Sequence, residues 1–185
     1  LELIDYGGPG TEPKYPDLTL TPYDITFSVP ESELEVGEEV TITAAIYNLG
    51  DIDLYTGVEV EFYDNGVLIG PLDPNGSVMP ITTEPIDKGS CAYVSFTYVF
   101  DTSGQHDIRV VIDPEDNIKE KDETNNEAVK TVVVNEPPPP PNNPPEILSF
   151  EPVNTNPTIL EGESITFRVE AKDPDGDGLR YEWYL

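Results

Sequence analysis

The sequence predicts an all-β fold: an immunoglobulin-like β-sandwich, a proline-rich linker, then a partial second sandwich of the same kind. Three observations carry that expectation. Apolar residues alternate with polar ones through most of the first 135 positions; Gly, Pro, Asn and Asp punctuate the runs; and no window sustains a 3.6-residue repeat. No long helix is expected.

The elements follow in order. Short apolar runs at 18–20 and 25–29 open the series. Residues 39–48, EVTITAAIYN, place Val40, Ile42, Ala44 and Ile46 on one face. In VEVEFYD, Val58, Val60 and Phe62 face inward and Glu59 and Glu61 outward. Asn65-Gly66 then separates this run from Val67, Leu68 and Ile69, a hairpin signal because a type I′ turn needs positive φ at both central residues. Ala92, Val94, Phe96 and Tyr98 form the next face, and Ile108, Val110 and Ile112 another. Val129, Thr131 and Val133, or their immediate neighbours, form the last. About seven strands within roughly 120 residues is the count of an immunoglobulin-like sandwich.

Composition changes at Glu136. Residues 136–145, EPPPPPNNPP, favour polyproline II, a stiff extended spacer. From 146 a second β pattern starts, with strands expected at 147–150, 164–171 and 179–185, the last alternating Leu179, Tyr181, Trp183 and Leu185 and burying Trp183. Three strands do not close a sandwich. Residues 1–15 read as a strand tail and a Gly/Pro-rich connector. The expectation is therefore a window on a longer string of β-domains. Completion of the open edges by neighbouring β-domains of the same or identical chains, through strand addition, is the alternative.

Charge excludes whole classes of function. With 37 Asp+Glu against 9 Lys+Arg the formal net charge is −28, which repels nucleic-acid phosphates and anionic lipid headgroups. No run approaches the roughly 18 apolar residues of a membrane span. A single cysteine, Cys91, cannot form an internal disulfide, and a single histidine, His106, removes most nucleophile–base arrangements. Cys91 reads as a small packed residue, and His106 falls in a turn with no assigned role. No enzyme is expected. Asn75-Gly76-Ser77 is an N-glycosylation sequon in a loop, consistent with an exported chain.

The first domain resembles the CARDB family, the cell-adhesion-related domain of bacteria and archaea. The residues that carry the likeness are PDLTL at 16–20, VGEEVTITAAIYNLGD at 36–51, VEVEFYDNGVLIG at 58–70 and IDPEDNIKEKDETNN at 112–126 with the following strand. Two signatures are the most specific: an N-x-G after the second strand, and D-P…E…D-E-x-N-N before the final one. The stretch from 143 resembles the opening half of a PKD-like or cadherin-like module through NPPEI and DPDGDGLRYEW. Both likenesses imply secreted or surface-anchored multidomain proteins of prokaryotes, used for adhesion, stalks or substrate attachment, and neither implies an active site.

Two acidic constellations are candidate metal sites. Asp113, Glu115, Asp116, Asp122 and Glu123, with Glu120, Asn125 and Asn126 among them, offer the oxygen ligands that Ca²⁺ takes. Asp173, Asp175 and Asp177 match the opening spacing of an EF-hand loop, but Tyr184 stands where the bidentate Glu belongs, which leaves a single-turn Ca²⁺ site. The alternative in both cases is structural: Asp, Asn and Gly supplying tight turns. Tyr47, Tyr55, Tyr63 and Tyr93 are candidate stacking residues for surface glycans, or simply cover a sheet.

The expected function is a non-catalytic structural or adhesion module of a prokaryotic, in the sharper version archaeal, extracellular or cell-surface protein. A filament subunit joined by strand exchange and stabilised by Ca²⁺ is its finer form. A carbohydrate-binding accessory domain of a larger secreted hydrolase is the alternative.

Overall fold

Two antiparallel sheets form from the alternating runs of the first part of the chain, and their inward faces meet in one apolar core. The computed structural model describes residues 12–184. These divide into two compact units, with the boundary in the proline run between Pro137 and Pro138.

In the first unit the strands run β1 (Leu18–Thr19), β2 (Ile25–Phe27), β3 (Glu39–Asn48), β4 (Glu59–Asp64), β5 (Val67–Ile69), β6 (Ile81–Thr82) and β7 (Cys91–Val99) in chain order, and one sheet contains β1, β2, β3 and β7. β1 and β2 both pair antiparallel with β3 and form one strand interrupted by a three-residue 3₁₀ turn, Pro22–Asp24. β7 pairs with the other edge of β3, from Glu39↔Val99 to Tyr47↔Cys91. The second sheet runs β5–β4–β8–β9, with β8 (Gly104–Ile112) and β9 (Glu127–Val134) completing it and β6 beside β4. Among the described residues the only helical pieces are 3₁₀ turns of three residues, as the absence of a helical repeat predicts.

The expected inward faces are the core. Val40, Ile42, Ala44 and Ile46 of β3 meet Val60 and Phe62 of β4, Ile108, Val110 and Ile112 of β8, and Val94 and Phe96 of β7. Phe62 and Phe96 pack edge-on at 5.1 Å between centroids. In β9 the neighbours carry the face: Ala128, Val132 and Val134 are buried while Val129 and Val133 are exposed. The three consecutive valines at 132–134 satisfy either phase, and pairing of Ala128 with Val110 decides it. At the β4–β5 hairpin Asn65 and Gly66 have φ of 48° and 82°, the two positive values of a type I′ turn.

The second unit holds β10 (Glu146–Glu151) and β11 (Arg168–Lys172), an antiparallel pair with a register shift between Ile147 and Ser149. Here the sequence expectation needs correction. The second strand covers only the end of 164–171, and residues 179–184 form no strand; Leu185 lies outside the described residues. Trp183, expected to be buried, is 60% exposed and leans on Phe167 at 6.1 Å. A two-stranded ribbon has no facing sheet to bury such rings, and is marginal in water by itself.

Candidate functional site

Both specific sequence signatures converge on one short piece of backbone, the segment from Pro16 to Thr19 that enters the sandwich. Asn48, fully buried at the end of β3, uses every polar atom of its side chain. Its Oδ1 accepts from Asp17 N–H at 3.2 Å and Gly50 N–H at 3.1 Å, and its Nδ2 donates to Ile52 O at 2.9 Å and Ile86 O at 3.1 Å. Gly50 completes the N-x-G signature for a steric reason: a Cβ there would collide with the backbone of Pro16 and Asp17. Leu49 N–H and Asp51 N–H then donate to Asp17 O and Tyr15 O, both at 2.8 Å.

The acidic loop between β8 and β9 grips the same segment from the other sheet. Glu120 accepts Leu18 N–H and, at 2.6 Å, Asn126 Nδ2. Asn125 Nδ2 donates to Asp17 Oδ1 at 2.9 Å, Thr19 Oγ1 donates to Asn125 O at 3.1 Å, and Lys121 N–H donates to Pro16 O at 2.9 Å. This bridge between the two sheets explains why the loop carries carboxylate and carboxamide side chains at these positions. Burial pushes the Glu120 carboxyl up to about 7, against the lowering effect of its two donors and with help from Glu123 and Asp113. Acceptors crowd this corner: Asn125 Oδ1 and Asn126 Oδ1 are buried without a partner.

The remaining candidate metal ligands of this loop are used locally. Asp113, at φ 48°, accepts the N–H groups of Asn117 at 3.1 Å and Ile118 at 2.7 Å. Asp122 accepts Thr124 N–H and Oγ1–H, which hold its carboxyl below the usual range. Glu123 accepts Glu120 N–H at 2.7 Å, while Glu115 and Asp116 are exposed. In the second unit Asp173 is buried and accepts Asp175 N–H at 2.9 Å and Asp177 N–H at 3.3 Å. Asp175 turns instead to Asn143, whose N–H and Nδ2 lie at 2.6 and 3.0 Å and lower its carboxyl, and Asp177 is exposed. Among the described residues no three Asp, Glu, His or Cys side chains gather in a group that could hold a metal ion.

Sequence reasoning missed a second buried polar cluster. His106 lies in β8, not in a turn, and is 2% exposed. Its Nδ1 faces Asp64 at 2.8 Å, its Nε2 faces Thr102 O at 3.0 Å, and Tyr98 Oη donates to the same Asp64 carboxylate at 3.0 Å. Burial, then Asp64, pushes the Tyr98 phenol far up. The cluster ties β4, β7 and β8 together across the core. The signal was the phase of alternation: Asp64 continues the inward set of Val60 and Phe62, and His106 that of Ile108 and Val110. Two inward polar residues of opposite charge preference call for each other.

The four candidate tyrosines do not form one platform. Tyr47 and Tyr93 share the outer face of the β3–β7 sheet, on either side of a half-buried Cys91. Tyr63 lies on the other sheet under the Arg109 guanidinium, 4.2 Å away, and Tyr55 sits in a loop.

Comparison with known proteins fits this architecture. The CARDB family profile matches residues 15–130, which includes the N-terminal segment and both groups of residues that hold it. The chain belongs to the CARDB family. No curated protein matches the chain significantly. Among solved structures, a CARDB domain of Pyrococcus furiosus, determined in complex with di-metal ions, is 23% identical, with a TM-score of 0.52 over 67% of this chain and 97% of that one. A domain of a Methanosarcina acetivorans protein assigned to the cell surface is 24% identical, with a TM-score of 0.50 over 65% of this chain and 93% of that one. These likenesses show the fold. CARDB is a cell-adhesion-related, surface-associated domain of bacteria and archaea, and no helix among the described residues is long and apolar enough to cross a membrane.

Proposed function

We propose that this chain is a non-catalytic, load-bearing module of a prokaryotic surface protein, in which a CARDB sandwich and a proline spacer hold further β-domains or a partner away from the cell. One observation supports it above others: both chain ends of the sandwich are tied into its body. At the entry, residues 15–19 are held by Asn48, Asp51, Glu120, Lys121 and Asn125. At the exit, Asn135 N–H donates to Leu34 O at 2.8 Å, Val36 N–H donates to Asn135 O at 3.0 Å, and Asn135 Nδ2 reaches Ser32 O and Leu34 O at 3.1 Å. Tension along the chain therefore loads several hydrogen bonds at once at each end. The charge of −28 keeps such a surface solvated.

Single-molecule pulling of the full chain from its two termini tests this reading. The sandwich should rupture in one cooperative event, and Asn126→Ala, which removes a donor from Glu120, should lower the rupture force. A rupture force unchanged by Asn126→Ala, with a lowered melting temperature, would assign the clasp to folding alone.

Three finer readings attach to this one. The second unit is taken as the first part of a PKD-like or cadherin-like module whose exposed β10–β11 ribbon is completed by a neighbouring β-domain; a filament of identical chains is the extreme case. Calcium stabilisation draws on the carboxylate density and on the metal-bound Pyrococcus relative; Asp113 gives both carboxylate oxygens to backbone amides, while Asp122 and Asp173 serve theirs through one oxygen each. Melting in millimolar Ca²⁺ against chelator separates the cases, and a turn-forming role predicts no shift. The carbohydrate-binding alternative needs stacked exposed rings, and the separation of Tyr47 and Tyr93 from Tyr63 and Tyr55 weakens it.

A further inference from the structure

The outer strand of the first sheet lacks the charge, proline, bulge and shortness that blunt natural edges. β7 pairs with β3 along its whole length and, among the described residues, no strand lies on its other side. Exposed edges are normally blunted by charge, proline, a bulge or shortness, because their unpaired N–H and C=O groups are a template for another chain. β7 is nine residues long, CAYVSFTYV, without a charged residue or proline, and it pairs with β3 without a register shift. Every other strand longer than three residues carries at least one charged side chain. In a chain with 37 acidic residues, an uncharged edge of this length is a departure that asks for an occupant.

The pairing pattern fixes which groups are free. Asn48 N–H donates to Ser90 O at 3.0 Å, so by antiparallel alternation the even-numbered residues of β7 face β3. Cys91, Tyr93, Ser95, Thr97 and Val99 turn their N–H and C=O groups to the open side, with side chains on the outer face of the sheet. That face is itself uncharged across the middle of β3 and β7, where Thr41, Thr43, Ala45 and Tyr47 stand beside Tyr93, Ser95 and Thr97. The other sheet turns Glu59, Glu61, Arg109 and Glu127 outward instead.

We propose that this edge is an interaction surface for a second copy of the same chain, β7 pairing antiparallel with β7 about a two-fold axis at Ser95. The strand is self-complementary in that register. Cys91 meets Val99, Tyr93 meets Thr97, Ser95 meets its own symmetry mate, and every free group of the five residues finds a partner. On the core side Val94 meets Phe96. A slip of two residues leaves free groups unpaired at both ends. Aromatic residues opposite β-branched ones are favourable cross-strand pairs, and no like charges are opposed. Elsewhere the net charge of −28 makes contact between copies repulsive, which favours this edge over the charged faces.

One strand pair is smaller than the roughly 1,600 Å² of a standard interface, so the contact is weak and concentration-dependent. On a surface crowded with copies, weak contacts add through effective concentration. The inference goes beyond the load-bearing role and does not need it: copies would pair at β7 whether or not the module carries tension.

Sedimentation equilibrium of the full chain tests it. A reversible monomer–dimer equilibrium is expected, strengthened by added salt. Ser95 is exposed and faces outward, so Ser95→Lys and Ser95→Asp should keep the fold, which melting checks. Each variant opposes like charges at the axis and should dimerise about fivefold more weakly. An equimolar mixture of the two should regain wild-type association. The proposal is overturned if the wild-type chain stays monomeric at all concentrations, if either variant associates like the wild type, or if the mixture associates no better than its components.

Discussion

The side-chain carboxylate of Glu120 accepts the backbone N–H of Leu18, joining residues 102 apart in the sequence and closing the acidic loop over the first strand. That one contact makes the acidic loop a structural clasp. It also places a carboxyl where water does not reach it, since Glu120 is only 5% exposed.

The clasp should be sensitive to pH. Burial raises the Glu120 carboxyl to about 7 from an ordinary 4.5. A group raised by folding stabilises the native state where it is protonated in both states, below about pH 4.5, and that contribution is lost as pH climbs through 7. The loss is about 3 kcal/mol at most. Glu120→Gln keeps the acceptor for Leu18 without the charge, so its stability should change less between pH 5 and pH 8, leaving it the more stable protein at pH 8. Urea unfolding of both proteins at the two pH values reads the difference, and parallel pH profiles would count against a buried, raised carboxyl.

Asn48 is the hub on the opposite side of the segment. Its side chain satisfies the amides of Asp17 and Gly50 and the carbonyls of Ile52 and Ile86. Asn48→Ala leaves the amides of Asp17 and Gly50 and the carbonyl of Ile52 buried or half-buried without these partners, while Ile86 O keeps Leu54 N–H, and the expected cost is about 3 kcal/mol. Asn48→Asp keeps the acceptor but sets a carboxylate oxygen against the carbonyls of Ile52 and Ile86, so it should be no more stable than the alanine variant. Thermal melting orders the three proteins; an alanine variant as stable as the wild type would show that water replaces the side chain.

How much of this was legible beforehand depends on the range of the interaction. Val40, Ile42, Val60 and Phe62 declare their face through alternation alone, and Asn65-Gly66 declares its turn through backbone sterics that act over two residues. β9 was ambiguous because Val132, Val133 and Val134 satisfy both phases, and only pairing with β8 selects one. The acidic loop is ambiguous for a different reason. Carboxylates that bind cations and carboxylates that accept backbone amides have the same spelling, and the deciding donor, Leu18 N–H, lies a whole domain away. His106 was missed because its partners Asp64 and Tyr98 belong to two other strands. The expected strand at 179–185 failed because alternation describes a side-chain pattern and does not supply a neighbour to pair with.

The Asp64–His106–Tyr98 cluster makes its own prediction. Asp64 is buried and serves both the imidazole and the phenol, so replacing His106 by Phe leaves a carboxylate in the core with only the Tyr98 hydroxyl. Breaking one side of a buried pair costs about 3–5 kcal/mol. Tyr98→Phe removes one hydrogen bond and should cost about 1 kcal/mol. The double replacement Asp64→Leu with His106→Phe removes the charge together with its partner and should be less damaging than His106→Phe alone. Denaturant unfolding of the set separates a structural bridge from a residue that merely fills space, for which the double variant would be the worst.

Trp183 offers a direct reading of what covers the second unit. It is the chain's single tryptophan, so intrinsic indole emission reports on this unit and on no other part of the protein. Its ring is 60% exposed and touches Phe167, while Ile147, Phe150 and Phe167 are also exposed. In dilute solution the emission should be that of a solvated indole, freely quenched by acrylamide, and unfolding of the sandwich in denaturant should leave it nearly unchanged. If a strand from a neighbouring domain completes the β10–β11 ribbon, raising the concentration should shift the emission to the blue and protect it from quencher. Pairing at β7 alone lies in the first unit and should leave the indole as it was. A blue shift that persists in Ser95→Lys would therefore place a second contact between copies at Trp183, independent of the β7 edge.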